Sequence, residues 1–553
     1  MWLLLLGLAA AEPDSKLKLE YSGMLQTDIR FRLNAISEGN WYNPIDPLPQ
    51  VARNRNIWKS KITAKAGDFR GVVDLDVVFE GFPQTLTGMD DLSSRQAIDP
   101  FRLEAHSVYL EARDLFVENL DLRIGQQLVQ FGVGDQFNPT NSFNADDVED
   151  KLLFGEQMSN LAVRLDFTAW DNWTATAVLI PIFKPALVPG SAGLGLAAVD
   201  RMPFIDEDLR WRMEAEKAVA YGLFDHPTVV AGVTPELPET SAENMQFGFR
   251  VGGFVGMQDI AVSYYRGFAD FPVPTSTHTT QVAGESCIDS PIVGETCIDG
   301  LLQNQLTLAY PRIQVAGFNM AGEMNPLGWI HQSIQPVGYR LEFAAVFPER
   351  VETRLTQDKV VFIPIFAEQA AGEYEYELAD GGRPAVLDSK PFLTWTAGLD
   401  YTLGRHIYVN AQWVHGMLDE MGGAGDVYSG GVTVRDSGVD SDALATNLCA
   451  LNRDGESCAW ETLKPRLGDY LVLGADVRFL SNAALFRLFT IWDLSGVYEE
   501  RYDAAAEKRV RTTHGLFTKE GFSAVIFPEL SYNFGNGFEL GAGVLLQLGQ
   551  KHS

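Results

Sequence analysis

Charged residues in this sequence recur at every second position between apolar ones. Asp74 and Asp76 alternate with valine and leucine, and Arg164 and Asp166 do the same further along the chain. Successive side chains of a β-strand point to opposite faces, so each segment would carry one apolar face and one charged face. Because rings of charged side chains can select ions by their sign, the pattern predicts the charged lining of an aqueous passage. The candidate lining residues are Asp74, Asp76, Arg123, Arg164, Asp166, Arg250, Arg340, Glu342, Asp400, Asp476 and Arg478.

A second interpretation of these charges stays open at the level of the sequence. Opposite charges on neighbouring strands commonly pair with each other. Paired in this way, the same residues would fill the space beside the strands and leave little free charge to act on an ion.

Motifs for catalysis are missing from the sequence. The eight histidines are scattered, and neither H-E-x-x-H nor G-x-S-x-G occurs. The glycine-rich stretch 190–195 follows a proline, so it is interpreted as a loop and not as a phosphate cradle. His415 falls at a strand end, where an interfacial or loop residue is the simpler interpretation than a catalytic base. We therefore predict a protein that is not an enzyme and that needs no cofactor.

Acidic residues cluster in the stretches 90–91, 146–150, 206–208, 373–377 and 436–442. Divalent cations at these loops are one interpretation, because hard cations bind grouped carboxylates. A solvated loop surface is the alternative, and it is favoured because no complete calcium-loop motif is present.

The four cysteines fall as two close pairs, Cys287 with Cys297 and Cys449 with Cys458. Each pair lies in a polar stretch between strand-like segments. A zinc site would need tighter spacing and histidines nearby. The pairs therefore predict local disulfide bonds in an oxidising compartment.

Strands must position all of these residues. Alternation with a period of two recurs at 73–79, 163–168, 245–252, 339–345 and 471–479, among other segments. Short turns at one end of the strands and long loops at the other are typical of a transmembrane β-barrel. Tight turns are predicted near 67–70, 170–172, 257–259, 404–406, 481–482 and 535–537, and long polar stretches near 34–54, 82–101, 132–158, 184–243, 270–303, 349–390, 418–466 and 499–519.

The predicted fold is all-β, a single transmembrane antiparallel β-barrel of about sixteen to eighteen strands. Its turns would be periplasmic and its long loops extracellular. A propeller would show a repeat of about forty residues, which is absent. Seventeen strand candidates can be counted, whereas single-chain bacterial barrels have even numbers. The last candidate, at 541–548, lacks a terminal aromatic residue, and we expect that the chain stops short of its final strand.

Composition limits the compartment and the partners. The net charge of −30 and the pI near 4.6 oppose binding to nucleic acid, which needs a basic surface. A mean hydropathy of −0.05 excludes a bundle of membrane helices. Residues 1–11 are apolar and end in three alanines before an acidic residue, as a signal peptide does. The predicted domains are the signal peptide, 1–11, and the barrel, 12–553, in the outer membrane of a Gram-negative bacterium.

Three stretches resemble a known family. Residues 122–132, followed by Asn138-Pro139-Thr140-Asn141, look like a strand and loop of this family, and 310–318 and 398–413 resemble its later strands. The family is a porin-like group of proteobacterial outer-membrane proteins, catalogued as a domain of unknown function and similar in style to alginate-export-type barrels. Gln126 departs from the basic residue that the family often has. The resemblance implies an outer-membrane channel or an export-associated barrel, and it implies no substrate.

The function expected is passive diffusion of small solutes through a porin-like channel, and the negative charge favours cations. The alternative is an outer-membrane component of an export or surface-assembly system for hydrophobic or polymeric cargo. Expected partners are outer-membrane lipid and lipopolysaccharide, with periplasmic or envelope proteins and further copies of the chain as additional candidates. Helices are predicted at 206–221 and 144–154. One interpretation is that they fold inward and narrow the passage, and the alternative is that they pack on the surface of the loops.

Overall fold

The computed structural model describes most of the chain. The predicted signal peptide at 1–11, the helix predicted at 206–221, and Cys449 and Cys458 lie outside the described residues. The described residues are 17–31, 51–80, 101–134, 137–147, 156–169, 172–187, 228–282, 287–290, 294–297, 301–325, 335–358, 373–375, 383, 385–387, 389–416, 459–463, 467–503, 508–519 and 521–549.

The described chain is all-β, which confirms the predicted class. Within these residues there is one short 3₁₀ helix, at Ala242–Asn244, and no α-helix. No helix in this part of the chain is long and apolar enough to cross a membrane. The strands are β1 (Lys18–Phe31), β2 (Val51–Ala66), β3 (Phe69–Glu80), β4 (Phe101–Ala112), β5 (Leu120–Gln127), β6 (Ala145–Asp146), β7 (Gln157–Met158), β8 (Asn160–Ala169), β9 (Trp173–Ile180), β10 (Thr228–Glu236), β11 (Gln246–Val255), β12 (Gln258–Phe268), β13 (Val273–Val282), β14 (Cys287–Ser290), β15 (Gly294–Cys297), β16 (Leu301–Ala309), β17 (Arg312–Met324), β18 (Val337–Pro348), β19 (Val351–Glu352), β20 (Arg354–Asp358), β21 (Glu373–Glu375), β22 (Ala385–Leu387), β23 (Phe392–Leu403), β24 (Ile407–His415), β25 (Ala459–Leu463), β26 (Asp469–Phe479), β27 (Ala484–Asp493), β28 (Val497–Asp503), β29 (Lys508–His514), β30 (Ser523–Asn533), β31 (Glu539–Gly543) and β32 (Leu546–Gly549).

The chain divides into two compact units. The first contains the described residues of Met1–Gly132, Thr140–Ala192 and Pro238–Asp270. Its strands form an antiparallel meander in the order β1–β2–β3–β4–β5–β8–β9–β11–β12, so each strand pairs with the next long strand in the chain. The short strands β6 and β7 pair with each other.

The second unit contains the described residues of Val133–Pro139, Gly193–Leu237 and Phe271–Ser553. Its meander runs β17–β18–β23–β24–β26–β27–β30, and β31 and β32 pair with successive stretches of β30. The connections of this unit form smaller sheets of their own, namely β10–β16–β13–β20–β21, β14–β15, β19–β22 and β25–β28–β29.

Long and short connections alternate along both meanders, which confirms the predicted rhythm. Because consecutive strands are antiparallel, the short connections of one meander all lie at the same end of its strands. The short connections are 67–68, 113–119, 170–172 and 256–257 in the first unit and 325–336, 404–406, 480–483 and 534–538 in the second, and the long ones are 32–50, 81–100, 128–159 and 181–245, then 349–391, 416–468 and 494–522.

The two faces of the strands have the opposite exposure from those of a soluble sheet. In β11, Phe249 is 51% exposed, whereas Gln246 on the other face is 4% exposed. In β23, Leu393 is 60% exposed and Thr396 only 2%. Water-soluble proteins rarely expose contiguous apolar surface of this kind. Each meander therefore presents an apolar outer face and buries a polar inner face.

The helix predicted at 144–154 is wrong in its described part. Ala145–Asp146 forms β6, which pairs antiparallel with Gln157–Met158. Asp147 also makes a parallel bridge with Leu187. Backbone pairing on two sides holds this segment extended, and it overrides the weak helical pattern of the sequence.

Candidate functional site

The predicted lining residues lie on the inner faces of the two meanders. Ten of the eleven are buried or half-buried, and Arg478, beside the 480–483 turn, is exposed. Asp76 and Glu342 are the most deeply buried of the set. These residues share one face of each strand, and their role in lining a passage stays a prediction.

A row of charged side chains crosses five strands of the first unit. The strand register pairs each member with the next, from β2 through β3, β4 and β5 to β8. We call this set the charged row. Its members are Lys65, Arg70, Glu111, Arg123 and Arg164. The charged row contains four cations and one carboxylate, and two of its cations have carboxylate partners outside the row: Lys65 lies 2.9 Å from Glu20 and Arg164 lies 2.8 Å from Asp166.

Glu111 is the centre of the charged row. Its carboxylate lies 2.8 Å from Arg113, 3.1 Å from Arg123 and 3.8 Å from Arg70. The guanidinium of Arg123 also lies over the ring of Tyr109, 4.6 Å from its centroid. One buried carboxylate thus orients several arginines, and it cannot neutralise all of them.

Asp166 and Arg250 have partners on their own and neighbouring strands. Arg164 Nε lies 2.8 Å from an oxygen of Asp166, and Thr176 Oγ1 donates a 2.6 Å hydrogen bond to the same carboxylate. Arg250 forms a long ion pair of 3.9 Å with Asp259. Pairing, the alternative interpretation of these charges, is therefore present throughout this face.

Asp74 and Asp76 of β3 make different contacts. Asp74 pairs with Lys61 across the strand at 3.0 Å. Asp76 is buried, and its Oδ2 lies 3.0 Å from Nε2 of His106. Sequence periodicity placed both aspartates on one face, and only the strand register distinguishes their partners.

The connection from β5 to β8 folds onto the inner face of the first unit. Val129, Phe131 and Phe143 are almost fully buried, and the Phe143 ring packs edge-on against Phe131 at 4.5 Å and against Tyr265 at 5.0 Å. Gly248 leaves room for this ring, because a Cβ there would lie 2.4 Å from Phe143 Cζ. An aromatic cluster therefore anchors this connection to the sheet.

Polar side chains fix the same connection. The amide of Asn144 accepts from the backbone N–H of Val129 at 3.0 Å and donates to its carbonyl at 2.6 Å, as a neighbouring strand would. Gln157 accepts from Asn141 and Asn144 and donates to Asp146. These bonds satisfy a stretch of irregular backbone and hold it in one conformation.

Lys184, in the connection after β9, forms a further hydrogen bond to the β5–β8 connection. Its Nζ donates a hydrogen bond to the carbonyl of Ser159. Burial disfavours the ammonium form and lowers the pKa of Lys184 below the ordinary lysine value.

In the second unit, the buried carboxylate of Glu342 holds residues of the β5–β8 connection. Its Oε2 accepts hydrogen bonds from the backbone N–H groups of Val133 at 2.9 Å and Gly134 at 3.0 Å. Thr396 Oγ1 donates to the carbonyl of Phe137 at 3.1 Å. Glu342 was predicted as a lining charge, and the structure makes it an anchor for backbone.

Three of the remaining predicted lining residues of the second unit, Arg340, Asp400 and Asp476, are paired across strands. Arg487 binds Asp476 through two hydrogen bonds of 2.9 Å. Arg340 lies 3.5 Å from Asp400. Arg478 is exposed near the short-turn end of β26.

His415 belongs to an aromatic cluster on the outer face, near the long-connection end of the strands. It lies 3.0 Å from Asp469 and stacks on Trp395. Trp413 Nε1 donates to the same aspartate at 2.9 Å and packs against Trp395. This position agrees with the prediction that His415 is an interfacial residue.

The register of β14 and β15 places Cys287 directly opposite Cys297 in an antiparallel hairpin. Such a placement is compatible with the predicted disulfide, which stays a prediction. The second predicted pair lies outside the described residues.

Sequence reasoning missed the charged residues of β4. An irregularity between Asp74 and Leu75 shifts the register of β3 against β4 and makes His106 the extra residue of a bulge. Regular alternation therefore breaks within β4, and Glu104 and Glu111 do not stand out as members of one face. The sequence signal for these residues would have been a two-residue alternation that shifts by one position inside the strand, as it does at a bulge.

Comparisons with known proteins show only remote similarity. No protein-family model matches the chain, and no curated protein matches it. Among solved structures, OccK9 (OpdG) of Pseudomonas aeruginosa aligns with 9% identity and a TM-score of 0.38 over 97% of this chain and 99% of its own. OccAB3 of Acinetobacter baumannii aligns with 8% identity and a TM-score of 0.38, over 97% and 94% of the two chains. OmpF of Salmonella typhi, in complex with daunomycin, aligns with 7% identity and a TM-score of 0.35, over 87% and 90%.

Proposed function

We propose that this protein is a closed β-barrel of the bacterial outer membrane and a passive channel for small solutes. The observation that carries this proposal is the exposure of apolar side chains on the outer face of both meanders, with polar and charged side chains on the inner face. Lipid, including lipopolysaccharide, would cover the outer face. A transmembrane barrel has this arrangement, because hydrocarbon surrounds it and water fills it.

The alternation of short and long connections supports the same proposal. In outer-membrane barrels the short turns face the periplasm and the long loops face outward. A closed barrel would also satisfy the backbone of strands that are surrounded by lipid. We assign the short connections to the periplasmic side on this basis.

The inner face would determine which solutes pass. The charged row would present cations to the passage, and the part of the β5–β8 connection that Phe143 anchors to the inner face of the first unit would narrow it. Charge and width together would set the selectivity of the channel.

The test is single-channel conductance of the purified protein in a planar bilayer. We expect steady openings, because the inner face is polar. Two cysteine variants of β4, Ser107→Cys on the inner face and Val108→Cys on the outer face, provide a matched pair. A charged, water-soluble thiol reagent should reduce the conductance of Ser107→Cys and leave Val108→Cys and the untreated wild type unchanged.

A folded, heat-modifiable protein that never conducts would contradict the channel. That result would favour the alternative role in export or surface assembly, which is tested by co-purification with periplasmic or envelope proteins. Equal effects of the reagent on both cysteine variants would contradict the assignment of the two faces.

A further inference from the structure

Asp76 is a buried carboxylate with one oxygen left without a hydrogen bond. Its side chain is 3% exposed, and Oδ2 lies 3.0 Å from His106 Nε2. Oδ1 is buried and has no hydrogen-bond partner among the described residues. Lys59 lies opposite Asp76 in the strand register, but the described structure contains no ion pair between them. A buried, unpaired carboxylate oxygen is unfavourable unless a cation or a donor reaches it.

Two further ligand groups surround this carboxylate. Glu104 and His106 of β4 each bring a possible ligating atom, and these atoms and that of Asp76 lie within 4.8 Å of one another. The register explains this proximity, because Glu104 lies opposite Asp76 and His106 is the extra residue of the bulge. Bulges commonly redirect a side chain beside a functional site.

Two arginines hold Glu104 in place. Arg55 lies 3.2 Å from Oε1 and 3.3 Å from Oε2, and Arg102 also binds Oε1. A carboxylate offers about four lone-pair sites, so bonds to arginine leave room for a further ligand. Carboxylates that bind metals are usually oriented by hydrogen bonds of this kind.

We propose that Asp76, Glu104 and His106 form a binding site for a divalent transition-metal ion, with Zn²⁺ as the best-fitting probe. Imidazole nitrogen with carboxylate oxygens suits zinc, and three protein ligands leave a coordination position for water. The ion would satisfy Oδ1 of Asp76. The half-exposed side chain of His106 gives water, and therefore the ion, access to the site. This site is distinct from the acidic loop stretches of the sequence, and it does not depend on whether the protein conducts.

The test uses the folded, metal-stripped full chain in detergent and Zn²⁺ alone. Isothermal titration should show one Zn²⁺ bound per chain, and X-ray absorption should show one imidazole among oxygen ligands. Asp76→Asn and His106→Ala should each abolish this binding. His415→Ala is the matched control, because His415 also lies 3.0 Å from an aspartate, Asp469, but belongs to no described three-ligand cluster.

Absence of stoichiometric Zn²⁺ binding to the wild type would overturn the proposal. Binding that persists in both Asp76→Asn and His106→Ala would also overturn it, as would loss in His415→Ala alone. Should Asp76→Asn fail to fold, the half-exposed His106 supplies an independent variant, and heat-modifiable migration verifies that it is folded.

Discussion

Single residues of the inner face differ in what their charges do. Most are paired with an opposite charge, as the alternative interpretation of the sequence expected. Glu342 has a further role, because two of its hydrogen bonds come from the backbone N–H groups of Val133 and Gly134. These two bonds hold a segment of the β5–β8 connection against β18.

Glu342→Ala should destabilise the protein by about 2–4 kcal/mol, since hydrogen bonds to a charged group contribute roughly 1.5–3 kcal/mol each and some of this is recovered from water. The thermal midpoint of unfolding, followed by heat-modifiable migration and circular dichroism, measures the loss. Asp400→Asn is the control. Its 3.5 Å ion pair with Arg340 is partly exposed and should contribute less than about 1 kcal/mol. Equal losses in the two variants would contradict the anchoring role of Glu342.

The faces of individual residues could be predicted from the sequence, and their partners could not. A two-residue period predicts which side chains share a face of the strand, and this was sufficient to place Asp166 and Arg250 on the inner face. Partners depend on register, which the β4 bulge changes by one residue. Glu111 and the charged row could therefore be recognised only from the paired strands.

At the scale of strands, the β4–β5 pair depends on one glycine. Gly125 has a φ of +134°, and a Cβ there would lie 2.2 Å from the carbonyl oxygen of Val108. Both the backbone conformation and the close approach of β4 exclude a larger residue. The family-like stretch 122–132 contains this glycine, so a packing requirement explains one of its residues.

Gly125→Ala should cost more than about 2 kcal/mol, combining backbone strain of about 1–3 kcal/mol with a steric clash. Denaturant or thermal unfolding of the refolded protein measures this cost. Gly541→Ala is the matched variant, because the nearest atom to its Cβ would be 3.5 Å away and its φ lies outside the left-handed region. If Gly125→Ala lowers the stability no more than Gly541→Ala does, the approach of β4 to β5 at this position is not tight.

The outer face of β11 provides a test of the membrane environment. Phe249→Lys should destabilise the protein in a bilayer by about 2–4 kcal/mol, the cost of lysine on a lipid face near the midplane. Met257→Lys, in the turn that follows β11, places the same charge on an exposed apolar position and should have little effect. Unfolding titrations in lipid vesicles give both values. A protein whose outer face meets water would tolerate the two lysines equally.

Regular strands were predictable, and the interruptions were not. The stretch 122–132 looks like one continuous strand, yet β5 ends at Gln127. Beyond it, Phe131 is buried against Phe143, and the backbone of Val129 bonds to the side chain of Asn144 instead of to a neighbouring strand. Ala145–Asp146 is extended instead of helical because its backbone pairs with Gln157–Met158. In both segments, contacts between residues that are distant in sequence determine the backbone conformation, so a local sequence pattern does not predict it.

At the scale of the whole molecule, the net charge of the chain and the charge that would line the proposed passage are separate quantities. The chain carries −30, which predicts a preference for cations, but much of the acid lies in the loop stretches. The charged row has four cations and one carboxylate. Because charges separated by more than about 10 Å are screened at 0.1 M salt, the selectivity should follow the inner face and not the total charge.

Neutralising two members of the charged row tests this argument. The double variant Arg123→Gln, Arg164→Gln should shift the reversal potential in a salt gradient toward cations, because it removes Arg123 from Glu111 and Arg164 from Asp166 and leaves both carboxylates with less positive charge beside them. The shift should shrink at about 1 M salt, where the Debye length falls to about 3 Å. Arg383→Gln, which removes an exposed cation paired with Glu375 in a long connection, should leave the reversal potential unchanged. An equal shift in both variants would mean that the total charge sets the selectivity, and no shift in either would mean that ions do not pass along the charged row.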